Sequence, residues 1–214
     1  TAPNDLGNLL APLVASFLAR YTEVRISVEL TQRKVDLVEE GFDLAVRATS
    51  TLPDSTLVAR RLAWDEGRLY ASPDYVTRRG RPNGPQDLAA HDCVLFGAHG
   101  NHATWRLSRG QELVEVAVSG PINSNDPTFC REAALADVGI ANLPSFLADG
   151  AVRAGRLTAI LPEYRSTESS VWLVYPSAKH LSATVRAFRD HLVAGVKALL
   201  RSGASPANQG GEGR

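Results

Sequence analysis

The chain has 214 residues, 44% of them hydrophobic and 21% charged, which excludes a disordered polymer and allows one large domain or two lobes of about 100 residues each. Its 23 basic and 23 acidic residues cancel, and with no long block of Lys or Arg the chain by itself lacks the basic stripe that grips phosphate backbones. No apolar run reaches the ~18 residues of a membrane span, and the opening TAPNDLG has neither part of a signal peptide, so a cytoplasmic protein without membrane contact is expected.

Leu6, Leu9, Leu10, Leu13, Val14, Phe17, Leu18 and Tyr21 recur at helical spacing and predict an amphipathic helix over Asp5 to Tyr21, with Pro12 as a kink or a shifted start. Arg25 to Leu30 alternates polar and apolar residues as a half-buried strand does. In TQRKVDLVEEGFDLAVRA, from Thr31 to Ala48, Val35, Leu37 and Val38 give a short helix its apolar side. Gly41 can end that helix in a left-handed turn, and Phe42 to Val46 follows as an apolar strand. Strands are also predicted at Leu57 to Leu62 and Arg68 to Ala71, and a helix in SPDYVTRRG with Ser72 as N-cap and Pro73 at its first position.

Further along come a strand at Cys93 to Phe96, a hairpin in WRLSRGQELVEVAV turning at Arg109 and Gly110, and a helix at Pro127 to Asp137. Strands follow at Gly139 to Leu143, near Leu157 to Leu161, and at Val171 to Tyr175, before a long helix from Ser182 to Leu200 with Val185, Phe188, Leu192, Val196 and Leu199 on one face. The polar, glycine-rich tail over residues 201–214 is predicted to be disordered. Alternating strands and helices argue for an α/β fold with mainly parallel sheet. The absence of methionine, together with a first residue inside predicted structure, marks the chain as a fragment.

The wording of Thr31 to Ala48, with FLARYTEVRISVEL at Phe17 to Leu30, LYASPDYV at Leu69 to Val76, DLAAHDC at Asp87 to Cys93, AALADVGIANLP at Ala133 to Pro144 and VYPSAKHLSATVRAF at Val174 to Phe188, resembles the effector-binding domain of LysR-type transcriptional regulators over roughly residues 1 to 195. The resemblance implies two Rossmann-like lobes as in type II periplasmic binding proteins, joined by two crossing strands around a cleft. Lobe one would hold residues 1–70 and 171–200, and lobe two residues 71–170. It also implies a small-molecule effector, an organic acid or polar metabolite, a homodimer that becomes a tetramer at full length, and DNA contact only through a missing N-terminal winged helix-turn-helix. A solute-binding receptor of a transport system is the alternative on the same fold.

Asp126 as N-cap and Pro127 at the first helical position predict a helix end with outward N–H groups able to receive an anion. The opening Ala2, Pro3, Asn4, Asp5 is expected to do the same for the first helix. The resemblance places the effector among Pro3, Asn4, Asp5, Gln32, Arg33, Phe96, Gly97, Asn125, Asp126 and Pro144. Many relatives carry a Ser or Thr hydroxyl where this chain has Asp5, which either caps its helix or selects a ligand bearing a donor or positive group. Arg33 is either a balancing charge for an acidic effector or a solvated surface cation.

GxSxG, HExxH, P-loop and GxGxxG patterns are absent, and no nucleophile and base pair is suggested, so no enzyme and no cofactor are predicted. His99 and His102, near His91 and Cys93, have a loop-like spacing and no second tight pair, so no metal site is predicted. Two cysteines fit a reducing compartment. Cys130, in a first helical turn, is either a thiol whose pKa the helix dipole lowers, as the peroxide-sensing members of the resembled family would use, or part of a buried face.

Overall fold

The computed structural model describes residues 1–49, 57–166, 168–176 and 181–202. The chain divides after Trp64 and again after Glu168: unit one combines Thr1–Trp64 with Ser169–Arg214, and unit two is Asp65–Glu168. Residues 203–214, where the disordered tail was expected, lie outside the described residues.

In unit one a 3-10 turn, Asn4–Leu6, leads into α1 (Gly7–Arg20). Pro12 sits inside α1 without ending it, because it lies on the solvent face, where water can satisfy the carbonyl it leaves without a donor. Leu10, Leu13 and Phe17 point inward, and Phe17 stacks at 4.9 Å on Phe188 of α5 (Ala183–Ser202). On α5, Leu192, Val193 and Val196 are buried.

Three expectations in unit one are corrected. No strand forms at Arg25–Leu30: a single parallel bridge joins Ala2 to Leu30, and Val28 and Leu30 stay 50% and 45% exposed. The next strand, β1, spans Ala45–Thr49 rather than Phe42–Val46, because the Phe42 N–H closes a turn onto the Leu37 carbonyl (2.9 Å). That turn replaces the expected short helix. The Asp36 carboxylate accepts from the N–H groups of Val38 and Glu39 (2.9 and 3.0 Å), Gly41 takes φ +72°, and Val38 faces solvent rather than the apolar side. β1 pairs antiparallel with β8 (Glu168–Tyr175), Ala45 opposite Val174 through Thr49 opposite Ser170.

The two strands expected on either side of Trp64 are one, β2 (Val58–Ala71). Unit two continues with α2 (Pro73–Arg79), whose N-cap Ser72 accepts from the Tyr75 N–H as its sequence predicts. A 3-10 turn at Pro85–Ala90 precedes β3 (Asp92–Phe96), β4 (His102–Arg109), β5 (Glu112–Ser124), α3 (Pro127–Leu135), β6 (Ile140–Pro144), α4 (Ser145–Arg153) and β7 (Thr158–Ile160). The hairpin turns at Gly110 and Gln111, one residue later than expected, since Arg109 still pairs with Glu112. The sheet runs β2–β6–β3–β5–β4 with β7 also on β2, and it is mixed rather than mainly parallel: β3 is parallel to both β5 and β6, and the other pairings are antiparallel.

Both faces of this sheet are covered. Leu69, Ala71, Cys93, Leu95, Trp105 and Leu107 enter one core with Tyr75 and Leu88, while Tyr70, Val94, Ala141 and Leu143 enter another with Cys130, Ala133 and Ala134 of α3. This is the period of two with both sides buried that the unbroken run in β3 requires. At the β3–β5 irregularity Gly120 is obligatory, because a Cβ there would lie 1.7 Å from the Cys93 carbonyl oxygen.

Candidate functional site

In unit two, β3, β5 and β6 are parallel and end along one edge, at Phe96, Ser124 and Pro144. The chain leaves β3 toward β4 and β5 on one side, then returns through α3 to β6 on the other. Such a reversal opens a crevice at the carboxyl ends of the strands. The loop after β3 is pinned there: the Gly97 N–H donates to the Ser124 carbonyl (2.9 Å), and the Asn123 amide both accepts from Ala98 N–H (3.1 Å) and donates to Ala98 O (2.6 Å).

Asp126 is the N-cap of α3, as expected, with a consequence that corrects the open helix end. One of its carboxylate oxygens accepts from the N–H groups of Thr128 (2.7 Å) and Phe129 (3.2 Å), and its carbonyl accepts from Cys130 N–H (3.1 Å). With Pro127 contributing no N–H, the first turn's donors are already engaged. Asn125 is exposed beside it, and Pro144 ends β6 at the start of α4. Phe96 and Phe129, 52% and 54% exposed, add aromatic surface to unit two. Phe129 was not expected. Its signal is weak but present: it lies two residues after the Asp126-Pro127 cap, in the first turn of α3.

In unit one a recess of about 230 Å³ is lined by Thr1, Ala2 and Pro3, residues 31–35, and β1. Val35 and Val46 are buried within it, and its polar side chains include Thr31, Gln32, Arg33, Lys34, Arg47 and Thr49. Three of these carry positive charge and none of the lining residues is a carboxylate. Arg33 is held by Glu40 through two hydrogen bonds (2.8 and 2.6 Å), with Glu29 at 3.9 Å. The same bonds, with the Asp36 N–H, bring the Glu40 carboxyl down to about 2. Arg47 donates to the Val35 carbonyl (2.8 Å), and among the described residues neither Arg47 nor Lys34 is in an ion pair. Lys34 and Arg47 were not expected here.

Asp5 does not hold the N-cap of either helical segment; those positions fall on Pro3 and Leu6. Its side chain is 6% exposed, lies behind the recess rather than on its wall, and accepts from the Gln32 amide (3.1 Å). Pro3, Gln32 and Arg33 are thus brought together, whereas Asn4 is exposed and does not line the recess.

Of the two readings of Cys130, the structure has the buried helix face and not the lowered thiol. Its sulfur is fully buried against the Leu95 carbonyl (3.5 Å), and burial pushes the thiol up to about 11; Cys93 is pushed up to about 12 in the same way. The dipole of α3 is outweighed by desolvation. His91 bonds the Tyr75 hydroxyl through Nδ1 (3.1 Å), with burial first and Arg79 second lowering its pKa. Among the described residues no group of three His, Cys, Asp or Glu side chains is placed to hold a metal ion, and no helix is long and apolar enough to cross a membrane.

The family model described as the LysR substrate binding domain matches residues 2–197. The chain belongs to that family. An uncharacterized HTH-type transcriptional regulator of Haemophilus influenzae is 35% identical to this LysR-type domain over 186 residues, 86% of the chain and 64% of the relative. The probable HTH-type transcriptional regulator LtrA of Klebsiella pneumoniae is 31% identical over 211 residues, 97% of the chain and 68% of the relative. The chain therefore spans about two thirds of the length of these curated relatives. The regulatory domain of CrgA, a LysR-type transcriptional regulator from Neisseria meningitidis, superposes with a TM-score of 0.81 at 31% identity, covering 91% of this chain and 96% of that one. The fold is that of LysR-type regulatory domains, the two-lobed α/β fold of type II periplasmic binding proteins.

Proposed function

We propose that this LysR-type domain senses a small organic anion, and that unit one's recess receives the anionic group. The supporting observation is the charge of that wall: Arg33, Lys34 and Arg47 line it with no carboxylate among them. Arg33 is neutralised by Glu40, so Lys34 and Arg47 carry the attraction. Asp5 acts from behind as the acceptor that orients Gln32, leaving an amide rather than a carboxylate to meet the ligand.

In the longer protein, effector binding shifts the balance between arrangements of a homodimer, or of a tetramer, and so repositions a helix-turn-helix that contacts DNA. The relatives are named as transcriptional regulators, which favours this reading over a transport receptor.

A thermal-shift screen against small carboxylates, aromatic acids, amino acids and amines tests it. Carboxylates at about 100 times Kd stabilise the domain by ~2.7 kcal/mol, a rise of several degrees. Stabilisation by amines with none by carboxylates would refute an anionic effector.

A further inference from the structure

We propose, on the footing that unit one's recess receives an anion, that its effector is a hydroxy acid: a small carboxylate whose neighbouring carbon bears a hydroxyl, which donates to the side-chain oxygen of Gln32. The bond behind the wall decides this, since Gln32 Nε2 donates to Asp5 Oδ1 (3.1 Å).

An amide has nearly the same shape whichever way it is turned, with donors on its nitrogen and an acceptor on its oxygen. A carboxylate has no hydrogen to give, so beside Asp5 the nitrogen has to face inward. Asp5 is buried and does not line the recess, whereas Gln32 does. Gln32 Oε1 is therefore turned away from Asp5, to the recess side, and among the described residues nothing donates to it. Asp5 lies too deep to meet a ligand; it fixes which end of the amide the ligand meets.

The polar groups around Oε1 are donors. Lys34 and Arg47 bring N–H groups and positive charge, and Thr31, whose Oγ1 already accepts from Arg33 N–H (3.1 Å), has its O–H left to give. Gln32 Oε1 is the one side-chain carbonyl oxygen among the described lining residues. An unsubstituted carboxylate, which only accepts, satisfies the donors but strips water from Oε1 and returns no hydrogen bond to it. A carboxylate with a hydroxyl beside it satisfies both. An ammonium in that place also donates, but it stands in the field of Lys34 and Arg47 with no carboxylate on the wall to offset them. Charge therefore selects the hydroxyl, and a recess of about 230 Å³ suits a small acid.

The test is calorimetry on the 214-residue chain with matched acids: lactate and propionate, malate and succinate, mandelate and phenylacetate, with alanine as the ammonium counterpart of lactate. In the pair whose body fits the recess, the hydroxy acid should bind roughly tenfold more tightly than its partner. Asp5→Asn puts a side chain that donates as well as accepts behind Gln32, so the amide can turn; the preference should fall to about threefold or less, with the affinity of the unsubstituted acid held within about twofold. Gln32→Leu, at a half-buried wall position, should lose the preference as well and keeps the test decisive if the Asp5 variant folds poorly. Equal affinities within every pair, a preference that survives in either variant, or tighter binding of alanine than of lactate would overturn the hydroxy-acid proposal while leaving the anion site standing. Binding of none of these acids would overturn both.

Discussion

Unit two and unit one solve the same packing problem to different degrees. In unit two six strands are hydrogen-bonded into one sheet, both faces are covered, and backbones approach so closely that Gly120 admits no side chain. In unit one α1 and α5 pack on each other through Phe17 and Phe188, yet residues 24–30 hold a single bridge, with Val28 and Leu30 exposed. Fixed strand ends give unit two its pinned loop at Gly97 and Ala98. The segments flanking that stretch, residues 31–35 and Thr1 to Pro3, also wall the cationic recess.

The largest expected effect lies on the closed side. Gly120→Val forces a side chain into the Cys93 carbonyl and should cost ~3 kcal/mol or more, read as a lower urea midpoint. Substituting Gly41, at φ +72° but with open space around it, should cost ~1 kcal/mol. Similar losses at the two glycines would erase the contrast between the units.

Thiol chemistry probes the same closure. With the Cys130 thiol raised to about 11 and Cys93 to about 12, alkylation at pH 8 should run ~100-fold slower in the folded chain than in urea. Because the folded values lie above the ordinary 9, this contribution to stability is complete below pH 9 and is lost as pH rises toward 11. Rapid alkylation of Cys130 in the native state would show that unit two opens.

On the open side, Lys34→Ala should weaken carboxylate binding about tenfold by calorimetry while leaving the melting temperature of the free domain nearly unchanged, since Lys34 is exposed. Arg33→Ala should weaken binding less, its charge being matched by Glu40. The smallest effect is local: Asp126→Ala should cost ~1 kcal/mol through the two N–H groups it caps.

The elements most legible in the sequence are those that local chemistry decides. Asp126-Pro127 and Ser72-Pro73 cap and start their helices as written, and Gly41 turns left-handed where a helix was expected to stop. Pattern fails where pairing decides. Residues 25–30 alternate as a strand but have a neighbour only at Ala2, and Phe42 continues an apolar run but has its N–H taken by Leu37. α4 gave no signal because it is short and carries Gly150. At the site, Pro3, Gln32 and Arg33 were placed by resemblance and do share the recess, while Lys34 and Arg47, which the sequence does not mark out from other cations, line it too. Asp5 looked like a cap or a selector because sequence cannot show that Gln32 stands in front of it.

The most direct test of the anion-sensing account is a backbone NMR titration of the domain with whichever small carboxylate stabilises it. The account predicts saturable shifts concentrated at residues 31–35 and 45–49, lost in Lys34→Ala. Shifts confined to residues 24–28 and 40–44, or unchanged by removing Lys34, would contradict it.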